Sequence, residues 1–237
     1  MDRLIEEALG GILVKATEMQ NWQSEELGTF KKSLRHYQAE TVYTEALNFF
    51  EQDATYELLS AVSALEEHEI YTSYRLKSEQ SFLNKWRKES NAQRPLKKVA
   101  NDILGVRLII NEEKLPIEQV IVMLEKSEYE ILTVNFYDSP KSNDDGYRGV
   151  HFYLQENTRT FPIEIQVWDY KAALLNFYAH EVIYKNKETG KAERDYALAV
   201  QQVLQAFPQK PENMDLSFVD YIFEVLYKHM KGGEEDG

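Results

Sequence analysis

The apolar positions of this 237-residue chain change period along its length. Over residues 1–72 they recur at helical spacing: Ile5, Leu9, Ile12 and Leu13 fall on one side of a helix, and Leu47, Phe49, Phe50, Tyr56, Leu58 and Leu59 continue the pattern. Several amphipathic helices are expected there. Another is expected from Ser78, a residue suited to a helix N-cap, to about Lys88, with Phe82 and Trp86 one turn apart on the same side. From residue 101 the pattern predicts a strand at 101–110, a helix at 116–126, and strands at 130–137, 150–155 and 160–167, the last two joined as a hairpin through 156–159. Helices return at 170–184, 192–206 and 215–229, with a break at 186–191 around Gly190, and the Gly/Glu/Asp tail is expected to be disordered. The predicted fold class is α+β, a mixed β-sheet flanked by helices. It reads as one domain, a core at 73–190 with helical extensions at 1–72 and 191–237.

Strand alternation also says which polar groups are aimed together. His151, Tyr153 and Gln155 share one face of their strand, and Glu164 and Gln166 share one face of theirs while Ile163, Ile165 and Val167 take the other. Burial of the apolar faces fixes the register, so the polar faces are presented to one place. Gly146 and Gly149 flank Tyr147 and Arg148 just before the first of these strands.

Composition narrows the function classes. With 43% hydrophobic and 28% charged residues the chain suits a globular protein long enough to bury a sizeable core. No apolar run approaches the roughly 18 residues of a membrane span, and the N-terminus lacks a signal-peptide core, so a cytoplasmic location is expected. The absence of cysteine excludes disulfides, thiolate metal sites and cysteine nucleophiles. A net charge of −13 argues against a general polyanion binder. Residues 75–98, however, hold eight basic residues against Glu79 and Glu89, a net of +6 in a remainder of −19. Such a cationic island suits a compact, highly charged ligand.

Arg75, Lys77, Ser81 and Lys85 would align a guanidinium, two ammonium groups and a hydroxyl along one helix and its approach, a set that matches polyphosphate; a solvated helix face is the plain alternative. Asp102 opens a strand and Glu164 lies in a later one. Two carboxylates so placed can hold Mg²⁺, or one can act as base beside a metal held by the other, although an aspartate at a strand start also serves as a turn residue. Tyr147 can stack on a nucleobase or fold back on the core. His180, Tyr184 and Lys185 lie within about one helical turn and read equally as a packing surface, and Trp168, Tyr170 and Phe177 read as core. There is no Gly-x-x-x-x-Gly-Lys-Ser/Thr loop, no Gly-x-Gly-x-x-Gly, no His-Asp pair and no nucleophile-elbow serine.

Taken in order, these pieces resemble the synthetase domain of the RelA/SpoT family, the alarmone (p)ppGpp synthetases. Arg75-x-Lys77-x-x-x-Ser81-x-x-x-Lys85 looks like the family's ATP-binding segment, and Asp102-x-x-Gly105-x-Arg107 like its Mg²⁺-binding strand. Gly146-Tyr147-Arg148-Gly149-Val150-His151 looks like its acceptor loop, Glu164-Ile165-Gln166 like its catalytic strand, and His180-x-x-x-Tyr184-Lys185 like the helix that follows. The match spans about residues 73–186 and implies a small stand-alone synthetase with a nucleotidyltransferase-like sheet that forms homo-oligomers, tetramers among them. It further implies an ATP donor held by Arg75, Lys77, Ser81, Lys85 and Arg107, and Mg²⁺ on Asp102 and Glu164, with Glu164 as base. The implied acceptor is GDP or GTP, contacted by Lys141, Tyr147, Arg148, His151, Gln166, His180, Tyr184 and Lys185.

Three departures from the family pattern stand out. Trp168-Asp169 replace an Arg-Thr pair, Gly149 replaces a serine, and the loop from Lys141 to Tyr147 is about two residues longer and contributes Asp144 and Asp145. The altered acceptor loop leaves room for the same chemistry on an adenine nucleotide or a tRNA 3′ end, the latter disfavoured by the acidic remainder of the chain. A catalytically inactive nucleotide-sensing module is the third reading, and retention of both Asp102 and Glu164 argues against it.

Overall fold

The computed structural model describes residues 3–90, 92–127, 129–140 and 146–178. Three helices, α1 (Arg3–Met19), α2 (Ala39–Phe50) and α3 (Asp53–Ala64), precede strand β1 (Tyr71–Leu76) and helix α4 (Glu79–Ser90). A short helix α5 (Leu96–Val99) leads to β2 (Leu104–Ile110), and α6 (Ile117–Glu125) to β3 (Ile131–Asn135); β4 (Val150–Leu154), β5 (Ile163–Asp169) and α7 (Tyr170–Tyr178) follow. The expected helices at 192–206 and 215–229, the tail, and the second half of the helix expected at 170–184 lie outside the described residues. Among those described, no helix is long and apolar enough to cross a membrane.

The strands form one five-stranded sheet in the order β1-β2-β5-β4-β3, antiparallel except for the central β2–β5 pair. This is the α+β mixed sheet that the alternation predicts. The parallel pair is reached by a crossover through α6, β3 and β4, and its two strands are buried almost throughout, as parallel strands covered on both faces require. The antiparallel β4–β5 pairing expected of the hairpin is present, with residues 155–162 as its connection.

The apolar core is continuous from the N-terminal helices into the sheet. Leu9, Ile12, Ala16, Phe49 and Leu58 belong to the same buried cluster as Val106, Ile163, Ile165 and Val167. Phe161, just before β5, is the joint: Phe30 meets it edge-on at 4.8 Å, and Phe49 and Trp22 pack on it at 5.5 and 6.0 Å. Phe82 of α4 is fully buried with Trp86 against it, the same-side pair that the helical spacing predicts.

Two expectations are corrected. The segment Tyr71–Leu76 is an edge strand, where helical residues and their approach were expected; only Thr72 of it is buried, so it carries no apolar alternation to read. Arg75 therefore sits on a strand, Lys77 lies between strand and helix, and α4 itself holds only Ser81 and Lys85. Asp102 lies in the turn before β2, which starts at Leu104 rather than at residue 101.

Candidate active site

One face of the sheet carries the site in two adjacent rows. Across β1, β2, β5 and β4 the register places Arg75, Gly105, Glu164 and Tyr153 side by side, and the next row places Ser73, Arg107, Gln166 and His151 side by side. Gly105 keeps the first row low: a Cβ there would lie 3.5 Å from Oε2 of Glu164 and 3.8 Å from Arg75, so a longer side chain would fill the space between them. Above these rows opens a cavity of about 740 Å³, also lined by Lys77, Ser78, Ser81 and Asp102 at one end and by Phe136, Tyr147, Trp168 and Asn176 at the other.

Each carboxylate facing this cavity is held by named donors. Asp102 accepts from Lys77 Nζ at 2.5 Å on Oδ2 and from Lys85 Nζ at 3.0 Å on Oδ1; Lys85 also donates to Asn101 Oδ1 at 2.7 Å. Burial pushes the Asp102 carboxyl up, and the charges of Lys85 and Lys77 outweigh it, leaving it below the ordinary carboxylate range. Burial lowers Lys85 in turn, with Asp102 opposing. The backbone that delivers Lys77 is fixed from both sides: its N–H donates to the Ile103 carbonyl at 2.7 Å, and its carbonyl accepts from the Tyr43 hydroxyl at 3.0 Å. Ser78 caps α4, its Oγ accepting the Ser81 N–H at 3.4 Å, and this sets Ser81 on the helix side of the cavity, with Lys85 one turn on reaching Asp102.

Glu164 is only 3% exposed. It accepts from His151 Nδ1 at 2.9 Å on Oε1 and from Gln166 Nε2 at 2.8 Å on Oε2, and Tyr153 also bonds it. Burial raises its pKa, and the hydrogen bond and charge of His151 more than offset that, so the carboxylate stays ionised below its usual range. Gln166 Oε1 accepts from Nε and Nη2 of Arg107, each at 3.3 Å. The direction of these bonds fixes the Gln166 amide: oxygen toward Arg107, nitrogen toward Glu164. Burial, with Arg75 close by, brings Arg107 down to about 10.

On the other side of Glu164, Gly146 takes a left-handed conformation, φ +80°, which turns the loop into Tyr147. The Tyr147 hydroxyl lies 2.5 Å from His151 Nε2 and accepts the Trp168 indole N–H at 3.0 Å. Because an ionised carboxylate only accepts, Nδ1 of His151 carries a proton and donates it toward Glu164. Asn176 of α7 secures the loop through Nδ2 to the Arg148 carbonyl, 2.6 Å, and through Oδ1 from the Arg148 N–H, 3.3 Å.

Residues 74–189 match a model of the region found in RelA / SpoT proteins. Residues 74–189 are a RelA/SpoT region. A sequence comparison with curated proteins returns no match. Among solved structures, this protein is similar to small alarmone synthetase 1 from Bacillus subtilis bound to its product pppGpp, at 18% identity over 75% of this chain and 88% of that one, with a TM-score of 0.48. Small alarmone synthetase 2 from the same organism is 22% identical over 81% and 96% of the two chains, TM-score 0.49. A GTP pyrophosphokinase family protein from Streptococcus pneumoniae is 14% identical over 81% and 97%, TM-score 0.49.

Of the residues read from sequence, Arg75, Lys77, Ser81, Asp102, Arg107, Tyr147, His151, Glu164 and Gln166 line the one cavity, and Lys85 reaches it through Asp102. Arg148 does not line it: its Nη1 donates to the Tyr147 carbonyl at 2.9 Å. Lys141, Asp144, Asp145, His180, Tyr184 and Lys185 lie outside the described residues. Sequence reading missed Phe136 and Asn176, and it set Tyr153 on the face aimed at the site without giving it a role. It placed Trp168 in the core, and at 3% exposed the indole is buried while it also lines the cavity. Asp169 caps α7, Oδ1 accepting the Ala172 N–H at 2.9 Å, while Oδ2 accepts from the Tyr137 hydroxyl at 2.9 Å.

Proposed function

We propose that this protein is a RelA/SpoT-family pyrophosphokinase that moves the β,γ-diphosphoryl group of ATP to the 3′-hydroxyl of GDP or GTP, making (p)ppGpp. The observation that carries the reading is that an ionised, buried Glu164 shares one cavity with the cations Arg75, Lys77 and Arg107 and with a second carboxylate, Asp102. Arg75, Lys77, Ser81 and Lys85 hold the donor base and phosphates. Tyr147 takes the acceptor base, with His151 beside it and Gln166 orienting Glu164.

In the transfer, the acceptor 3′-oxygen bonds to the β-phosphorus, the bond from that phosphorus to the α,β-bridging oxygen breaks, and AMP leaves with the electron pair. Glu164 takes the proton from the 3′-hydroxyl; it is suited to this as a carboxylate whose partners keep it charged and directed. Alignment and charge neutralisation supply most of the rate in reactions of this kind.

Asp102 and Glu164 together fit Mg²⁺, a hard cation commonly held by one or two carboxylates plus substrate phosphate oxygens. When bound there, the ion supplies charge neutralisation at the transferring phosphates.

Incubation of purified protein with labelled ATP, Mg²⁺ and each of GDP, GTP, an adenine nucleotide and tRNA, followed by product separation, tests the reading. Labelled guanine nucleotide is the expected product. Label on the adenine nucleotide or on tRNA would move the assignment to the altered-acceptor reading, and no transfer to any acceptor would refute it.

A further inference from the structure

Resting on the pyrophosphokinase reading, we infer that Trp168 is a positioning residue that sets the acceptor platform, holding Tyr147 by its hydroxyl and Arg107 by its guanidinium. Trp168 ends the polar face of β5, two positions beyond Gln166, and Gly149 stands across from it where the chain enters β4. A Cβ at 149 would lie 2.7 Å from Cδ1 and 2.9 Å from Nε1 of the indole, and 3.1 Å from the Tyr147 hydroxyl. Only a glycine at 149 leaves room for the indole in this pose.

From that pose the indole does two things. Its N–H donates to the Tyr147 hydroxyl at 3.0 Å, and that hydroxyl is 2.5 Å from His151 Nε2, whose Nδ1 donates to Glu164 at 2.9 Å. Its ring carries the Arg107 guanidinium, with Cζ 3.8 Å from the ring centroid, and Phe177 packs edge-on behind it. The tyrosine on the acceptor side and the arginine on the donor side are thereby tied to one rigid group.

Tying both to one group fixes their separation, and a fixed separation is what aligns an acceptor hydroxyl with a donor phosphate. The tether also restricts the Tyr147 ring. It meets Phe136, His151 and Trp168 edge-on, at interplanar angles of 77°, 77° and 83°, so its plane is set before any base arrives. Acceptor choice then follows from a preset stacking plane.

Trp168→Phe keeps a ring under Arg107 and removes the N–H, whereas Tyr147→Phe removes the hydroxyl that the N–H serves. Steady-state kinetics on the wild type, the two single variants and the double variant separate the roles, with thermal melts confirming folding. Trp168→Phe should lower kcat/KM for the acceptor roughly fivefold to tenfold, the size of one neutral hydrogen bond, and leave KM for ATP within about twofold. The double variant should be no worse than Tyr147→Phe alone, because both changes remove the same contact. Gly149→Ala, which displaces the indole without altering it, should reproduce the acceptor defect in the wild type; it carries the test should Trp168→Phe fail to fold. Losses that multiply in the double variant, or a Trp168→Phe defect confined to ATP, would overturn the inference. A wild type that transfers nothing to any acceptor would instead refute the functional reading on which it rests.

Discussion

Lys77 Nζ lies 2.5 Å from Oδ2 of Asp102 while Lys85 Nζ lies 3.0 Å from Oδ1, so both oxygens of a proposed metal ligand are held by cations. A divalent ion approaching this carboxylate is repelled by both ammonium groups, and displacing one lysine relieves that repulsion. The phosphates of ATP are the natural alternative partner for the displaced lysine. Mg²⁺ alone should therefore bind weakly, and Mg²⁺ with ATP much more tightly than the product of the separate affinities. Lys77→Met should bind Mg²⁺ alone more tightly than the wild type while losing ATP affinity. Calorimetric titration checks both; equal Mg²⁺ affinity with and without ATP would contradict the competition.

Glu164→Gln preserves shape and removes the charge. The change also sets an amide against the Gln166 amide, whose orientation Arg107 has already fixed. Transfer should fall at least roughly a hundredfold, the lower end of what a lost general base costs, while ATP binding survives in part. Single-turnover rates and ATP titrations on the same preparation read the two effects apart.

Arg75 and Tyr147 stand on opposite sides of Glu164, one on β1 and the other in the loop before β4. Arg75→Ala should raise KM for ATP and leave the acceptor nearly unchanged. Tyr147→Ala should weaken the acceptor by about 1–3 kcal/mol, the usual worth of stacking on one base. If both variants shifted only the ATP constant, the division of the cavity into donor and acceptor ends would be wrong.

Tyr137 ties Asp169 and so the start of α7, donating to Oδ2 at 2.9 Å and accepting the Asp169 N–H at 3.0 Å. Burial, with the charge of Asp169, raises its pKa well above the ordinary value near 10. The folded protein thus keeps a proton that the unfolded chain releases above pH 10. Stability from this group is full below that pH and declines as pH rises toward the raised folded value, by up to about 1.4 kcal/mol per unit for one group. Burial raises Tyr147 and Tyr153 as well, and they add to the same slope. Denaturant unfolding between pH 8 and 11 should show the decline begin near 10 and become shallower in Tyr137→Phe, which should also lose about 1–3 kcal/mol at neutral pH by stranding a buried N–H.

Where the alternation was strong, the sequence was enough. His151, Glu164 and Gln166 could be placed on one face because Ile163, Ile165 and Val167 bury the other, and the helical spacing of Phe82 and Trp86 predicted the buried side of α4. Strand β1 was invisible because an edge strand with one buried residue has no period to read, and with it went the true setting of Arg75. The role of Trp168 was hidden for a different reason. Its aromatic character says core, and core it is; that its N–H reaches Tyr147 depends on the missing side chain of Gly149, nineteen positions earlier in sequence and adjacent only in the sheet. Asp169 could have been recognised from sequence as the cap of the helix that follows it.

In the proposed transfer the bond broken in ATP is the one next to the α-phosphate. The direct measurement is to follow ATP labelled in the γ-phosphate together with unlabelled GDP or GTP and Mg²⁺, and to count AMP, ADP and labelled acceptor over time. AMP and labelled guanine nucleotide should form in equal amounts, and both should be lost together in Glu164→Gln. Release of ADP as the matching product, or AMP formed with no label on the acceptor, would contradict it.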